Sequence, residues 1–109
     1  MKRILFLCSQ NRLRSPTAER VFSTWSGIET ASAGLATDAT VPLSTELLEW
    51  ADIIFVMERA HKNKLTKKFG RMLRGKRVIC LGIPDEYEYM EPELVGILKA
   101  KVPPFLRLP

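Results

Sequence analysis

At 109 residues, 46% hydrophobic and 27% charged, with a net charge of +5, the chain has the size and balance of one globular domain with a single real core. No run approaches the ~20 apolar residues of a bilayer span. Lys2 and Arg3 before an apolar run imitate a signal peptide, but the run is too short and lacks a small-residue cleavage site. Cys8 and Cys80 are too few for a disulfide framework and suit no zinc ribbon, so a cytoplasmic, reducing setting is expected.

Ile4 to Cys8 is a continuous apolar run, the pattern of a strand buried on both faces. Pro16 fits the first turn of a helix, with Ser15 as N-cap. Ala18, Val21, Phe22 and Trp25 place one apolar stripe on that helix, and Gly27 should stop it. Residues 28–34, IETASAG, predict a second strand, and 35–43 a loop without periodicity. Ser44 or Thr45 can cap a helix through Glu46, Leu47, Leu48 and Trp50. Residues 52–57, DIIFVM, read as the clearest buried strand. A basic helix from about Arg59 to Lys68 should break at Gly70, and 77–82, RVICLG, predict a fourth strand. Pro92 opens a last helix with Leu94, Ile97 and Leu98 inward, ended by Pro103 and Pro104.

Strand and helix patterns thus alternate across 1–109 without repeats or a second domain. Such alternation implies right-handed crossovers and an α/β fold, a four-stranded parallel sheet with helices on both faces. The expected strand order is 2-1-3-4, flavodoxin-like. Ligand sites in open sheets of this kind lie off the carboxyl ends of the strands, where Cys8, Met57 and Gly82 fall.

The stretch CSQNRLRSP, residues 8–16, is therefore a candidate site. A loop entering a helix N-terminus can aim successive backbone N–H groups inward as an anion nest, and the helix dipole adds partial positive charge. A thiolate at Cys8 is the form such a nest stabilises. Arg14 can fold back to grip two oxygens of an oxyanion, and the Ser15 hydroxyl can donate to the sulfur.

The same nine residues match the C-x5-R-[ST]-P signature of the low-molecular-weight protein tyrosine phosphatases, which this chain resembles. Asn11 falls where that family carries a loop-shaping asparagine. Agreement continues with SAG at 32–34, ADIIFVMERAHKNKL at 51–65 and IPDEYEY at 83–89, so it spans nearly the whole, rather short, chain. The resemblance implies hydrolysis of phosphotyrosine or another aryl phosphate through a cysteinyl-phosphate. Cys8 would be the nucleophile and Asp85 the general acid. The amides of Ser9, Gln10, Asn11, Arg12, Leu13 and Arg14, with the Arg14 guanidinium and Ser15, would form the phosphate-binding loop. Tyr87 and Tyr89 would flank the entrance, and neither metal nor other cofactor is implied. Glu86 stands where the family usually has proline, which makes Glu86 and Glu88 rival acids. Leu13 stands where many members have a second cysteine, so a protective disulfide within the loop is closed off.

Two other readings stay open: arsenate reduction on the same loop, which would need more resolving thiols than Cys80 supplies, and a non-catalytic module binding phosphate or a polyanion. The second draws on residues 61–77, which hold eight Lys or Arg and no acid. Such a run is most often a solvated face; otherwise it attracts something anionic. With Phe69 its only aromatic, nucleic acid is an improbable partner. A phosphorylated protein or a small aryl phosphate is the expected one, with no membrane involved. Cys80 reads as inert core, His61 as a surface residue, Trp25 and Trp50 as core or interface, and Arg12 faces either outward or toward substrate.

Overall fold

The computed structural model describes residues 1–106; the single-domain expectation extends to 107–109, which lie outside the described residues. The strands are β1 (Lys2–Cys8), β2 (Ile28–Gly34), β3 (Ile53–Val56) and β4 (Arg77–Cys80). All pairings are parallel, in the order β2-β1-β3-β4, with Cys8 opposite Gly34 and Leu7 opposite Val56, which in turn pairs with Cys80. The helices are α1 (Arg14–Phe22), α2 (Thr45–Trp50), α3 (Arg59–Phe69), α4 (Pro92–Lys101) and α5 (Pro103–Leu106), with a 3₁₀ turn at Gly70–Leu73.

The continuous apolar runs divide their side chains between two cores, because successive strand residues point to opposite faces. Ile4, Phe6 and Cys8 of β1 join Ile53, Phe55 and Met57 under α1, α4 and α5. Leu5, Leu7, Ile54 and Val56 pack on the other face against Leu48 of α2 and Leu65 of α3. Phe6 stacks between Phe22 and Phe55, with ring centroids 5.9 and 5.4 Å away. Helices on both faces are thus a consequence of central strands, β1 and β3, with no polar side.

Several boundaries differ from the sequence reading. Helix α1 begins at Arg14 with Leu13 as N-cap, so Ser15 lies inside the first turn and is no cap. The helix ends at Phe22 rather than near Gly27, yet Trp25 still meets Phe22 edge-on at 4.8 Å. Helix α3 does end at Gly70, its C-cap, as expected, but Gly70 keeps helical angles, φ −50° and ψ −38°, and leads the chain straight into the 3₁₀ turn. Helix α4 stops at Lys101, just before Pro103 as expected, but Pro103 also opens a further short helix, α5, because proline suits a first helical turn as well as a stop. Cys80 is exposed on the edge strand and is not core, and His61 is buried, 5% exposed, and is not a surface residue.

Candidate active site

The carboxyl ends of β1 and β3 and the segment after β4 meet around a pocket of about 220 Å³. Cys8, Ser9, Gln10, Arg12, Leu13 and Arg14 line it, with Asp85 as well. Two features of the backbone shape the loop. Asn11 sits in the left-handed region at φ 55°, which asparagine tolerates better than most residues. Residues 35–43, which lack any periodic pattern, fasten the loop from behind. The N–H groups of Leu35, Ala36 and Thr40 donate to the carbonyls of Cys8, Ser9 and Gln10 at 2.9, 2.9 and 3.0 Å. With those carbonyls turned away, the loop's own N–H groups are left for the pocket. Among the described residues, no protein acceptor takes the N–H of Ser9, Gln10, Arg12 or Leu13.

The Cys8 sulfur lies at the end of a directed hydrogen-bond chain. Ser32 donates its hydroxyl to Glu19, and Asn11 Nδ2 donates to both Ser32 Oγ and Ser15 Oγ, each at 2.9 Å. Ser15 Oγ, already an acceptor, keeps its proton for Cys8 Sγ at 2.9 Å in preference to the Ala33 carbonyl at 3.5 Å. The Asn11 N–H adds a second donor at 3.2 Å. Both favour a sulfur anion, since a thiolate is the better acceptor.

Arg14 is 4% exposed. Its Nη1 donates to Glu58 Oε2 at 2.6 Å and to the Ile83 carbonyl at 2.8 Å, and its Nε lies 3.7 Å from Asp85 Oδ1. The grip on Nη1 fixes the plane of the guanidinium and leaves Nε and Nη2 as a fork for two oxygens of a bound oxyanion. The Arg14 hydrogen bond holds Glu58 below the usual carboxylate range.

His61 links the loop to α3. Its Nδ1 accepts from the backbone N–H of Glu58 at 3.2 Å, which leaves the proton on Nε2, 3.0 Å from Ser9 Oγ. Burial first, then the Arg14 charge, push its pKa below the usual 6.5, in keeping with a neutral ring. Ser9 Oγ, accepting from His61, has its own proton to offer the pocket.

The structure therefore brings Cys8, Ser9, Gln10, Asn11, Arg12, Leu13, Arg14, Ser15 and Asp85 into one place. Glu86 and Glu88 are exposed and line no part of the pocket. Nor do the two tyrosines: Tyr87 packs against the first core, and Tyr89 lies beside Pro16, Glu19, Arg20 and Ser23 on α1. Glu58, His61 and Ser32 are the residues that the sequence reading passed over. Glu58 lies two residues past Val56, the carboxyl end of β3, which was the available signal. Among the described residues, no three His, Cys, Asp or Glu side chains are grouped to hold a metal.

No protein-family model matches the chain. It is 30% identical over 95 residues to the protein-arginine-phosphatase of Bacillus subtilis, a match covering 62% of this chain and 63% of the relative, short of two thirds of its length. Vibrio vulnificus Wzb, solved in complex with benzylphosphonate, is 28% identical over 90% of each chain, with a TM-score of 0.68. A YwlE arginine phosphatase, solved as a cysteine-to-serine mutant with a phosphorylated active-site serine, is 25% identical. That match covers 89% of this chain and 91% of the other, with a TM-score of 0.69. The strand order, the loop signature and these relatives agree, and together they bear out the resemblance of the chain to the low-molecular-weight protein tyrosine phosphatases.

Proposed function

We propose that the protein is a cysteine-dependent phosphatase acting on phosphorylated side chains of proteins. The observation that carries this reading is the Cys8 sulfur, which faces two donors inside a loop of free amides beside the buried Arg14 guanidinium. The Cys8 thiolate attacks phosphorus, forming an S–P bond as the bond to the leaving group breaks. The equatorial oxygens, where charge spreads, are held by the loop amides and the Arg14 fork. Asp85 gives its proton to the leaving group. It then takes one from the water that attacks the cysteinyl-phosphate, returning the thiolate and releasing inorganic phosphate. The phosphorylated serine of the mutant YwlE relative supports a phosphoryl group carried on this loop position.

Phosphotyrosine is the first reading of the leaving group. Phosphoarginine is the second, favoured by one relative's activity and by a pocket whose lining contains no aromatic ring. Protonation by Asp85 serves a departing guanidine nitrogen as well as a phenolate. Arsenate reduction is the weaker use of the loop, since the only other thiol, Cys80, sits two strands away on the sheet edge.

The test is hydrolysis of p-nitrophenyl phosphate, a phosphotyrosine peptide and a phosphoarginine peptide in the presence of EDTA. Turnover should persist with the chelator, vanish in Cys8→Ser and fall about 10³-fold in Arg14→Ala. Full activity in Cys8→Ser, or no hydrolysis of any of the three, overturns the reading. The ratio of kcat/KM for the two peptides decides the leaving group.

A further inference from the structure

The charge of this molecule is segregated. Between Glu58 and Asp85 there is no acidic residue but nine Lys or Arg, and outside that segment eight basic residues face twelve acidic ones. Two of the nine have internal work: Lys76 donates to the Glu49 and Ala51 carbonyls, and Arg77 to that of Phe105. The other seven make no ion pair or side-chain hydrogen bond among the described residues. Nor are they scattered. Arg59, Lys62, Thr66, Lys67 and Cys80 contribute to a depression of about 410 Å³. Thr66 and Lys67 are shared with a second, about 390 Å³, that continues past Lys68 to Arg71.

The groove begins beside the candidate active site. Arg59 follows Glu58, which holds Arg14, and Cys80 is in register with Val56 and so with Leu7, one residue before Cys8. On the other side, residues 85–93 carry five acids and no base. The pocket therefore lies between a cationic groove and an anionic rim.

We propose that the groove along α3 seats an acidic segment of the phosphorylated protein substrate, on one side of the phosphorylated residue only. The inference rests on the phosphatase reading for the identity of the substrate. Eleven residues of α3 span roughly 16 Å at 1.5 Å each, the reach of about five extended residues. The acidic rim repels acids on the opposite flank. Nucleic acid fits less well, because Phe69, the one aromatic in the segment, is partly buried against the second core and gives the groove a single stacking position at most, too few for a run of bases. A membrane surface fits less well too: the exposed large hydrophobic residues, Met1, Val41, Tyr89 and Met90, lie outside the segment.

The experiment compares phosphopeptides with four glutamates on the N-terminal side, on the C-terminal side, or on neither. One one-sided peptide should exceed the neutral peptide in kcat/KM by about tenfold at 0.1 M salt, with the gain lost at 0.5 M. The triple variant Lys62→Glu, Lys67→Glu, Arg71→Glu should abolish the preference and leave p-nitrophenyl phosphate turnover unchanged. Equal rates for all peptides, or a preference that survives charge reversal, overturn the proposal. So does tighter binding of a single-stranded oligonucleotide or a phosphatidylserine vesicle than of a labelled, unphosphorylated acidic peptide. That last binding assay, run on Cys8→Ser protein, tests the groove even if no phosphopeptide is hydrolysed, so failure of the docking site and failure of the phosphatase reading give different results.

Discussion

Substituting Gly34 by alanine tests how tightly the loop from Cys8 to Ser15 is seated. A Cβ built on Gly34 would lie 2.5 Å from the Ser9 carbonyl oxygen, 2.5 Å from Ala39 Cβ and 3.1 Å from the Asn11 nitrogen. Carbon contacts settle near ~3.5 Å, so two of these neighbours must recede by about 1 Å each. Strand β2 cannot easily give way, because Gly34 is bonded on both sides, to the Val41 carbonyl at 2.8 Å and from the Leu43 N–H at 2.9 Å. The displacement therefore falls on the loop at Ser9 to Asn11. A misplacement of about 1 Å in a reacting constellation costs roughly 10²-fold in rate. Overpacking costs about 1–3 kcal/mol, against the ~0.4–1 kcal/mol that a Gly→Ala change returns through the unfolded chain. The net loss of ~1–2 kcal/mol corresponds to a Tm lowered by about 5–10 °C. Gly96→Ala is the control, since its Cβ meets nothing within 4 Å and lies inside α4. It should raise stability by about 0.5–1 kcal/mol and leave turnover alone. Kinetics on p-nitrophenyl phosphate and thermal melts read both. Wild-type kcat/KM and Tm in Gly34→Ala would refute the seating of the loop described here.

Three further outcomes follow from the same site. Asn11→Ala should lose about 2–4 kcal/mol, from two buried hydrogen bonds and a left-handed backbone that alanine resists; Asn11→Gly should recover the backbone share in chemical denaturation but not kcat. Because His61 and Glu58 both titrate lower in the folded chain than their usual 6.5 and 4.5, the unfolded chain binds more protons and stability falls on acidification. Melts against pH should show the first decline below about pH 6.5, as His61 is forced to charge, and His61→Gln should flatten that limb alone. Asp85→Asn should cut kcat about 10²-fold or more on phosphopeptides and far less on p-nitrophenyl phosphate, whose leaving group needs little protonation. Glu86→Gln and Glu88→Gln should match wild type in the same assay.

The fold was readable because its two central strands, β1 and β3, carry uninterrupted apolar runs that alternate with helical patterns, which suits a sheet covered on both faces. What the pattern could not convey was orientation. Ser15 has the chemistry of a cap, but its hydroxyl is drawn instead to sulfur and to Asn11, a tertiary preference invisible in local spacing. His61 stands in a helix that is otherwise basic, so nothing in its neighbours distinguishes a solvated ring from one turned inward to Ser9. Cys80 belongs to an apolar run, yet β4 is the edge of the sheet, and position in a sheet is a property of the topology rather than of the segment.

The loop 35–43 shows why a site can be legible while its support is not. The signature residues announce themselves because phosphoryl chemistry demands their side chains. The residues that hold them act through backbone groups, which any sequence supplies. Leu35, Ala36 and Thr40 serve by the positions of their N–H groups alone, and those positions follow from the turn after Gly34. Their donation consumes three carbonyls that would otherwise face an incoming phosphate and repel it. A nest of amides is thus two structures at once: donors toward the ligand, and a second segment that removes the acceptors from it. Here the second segment begins one residue after Gly34, the partner of Cys8, so sulfur and support are registered by a single step of the β1–β2 ladder.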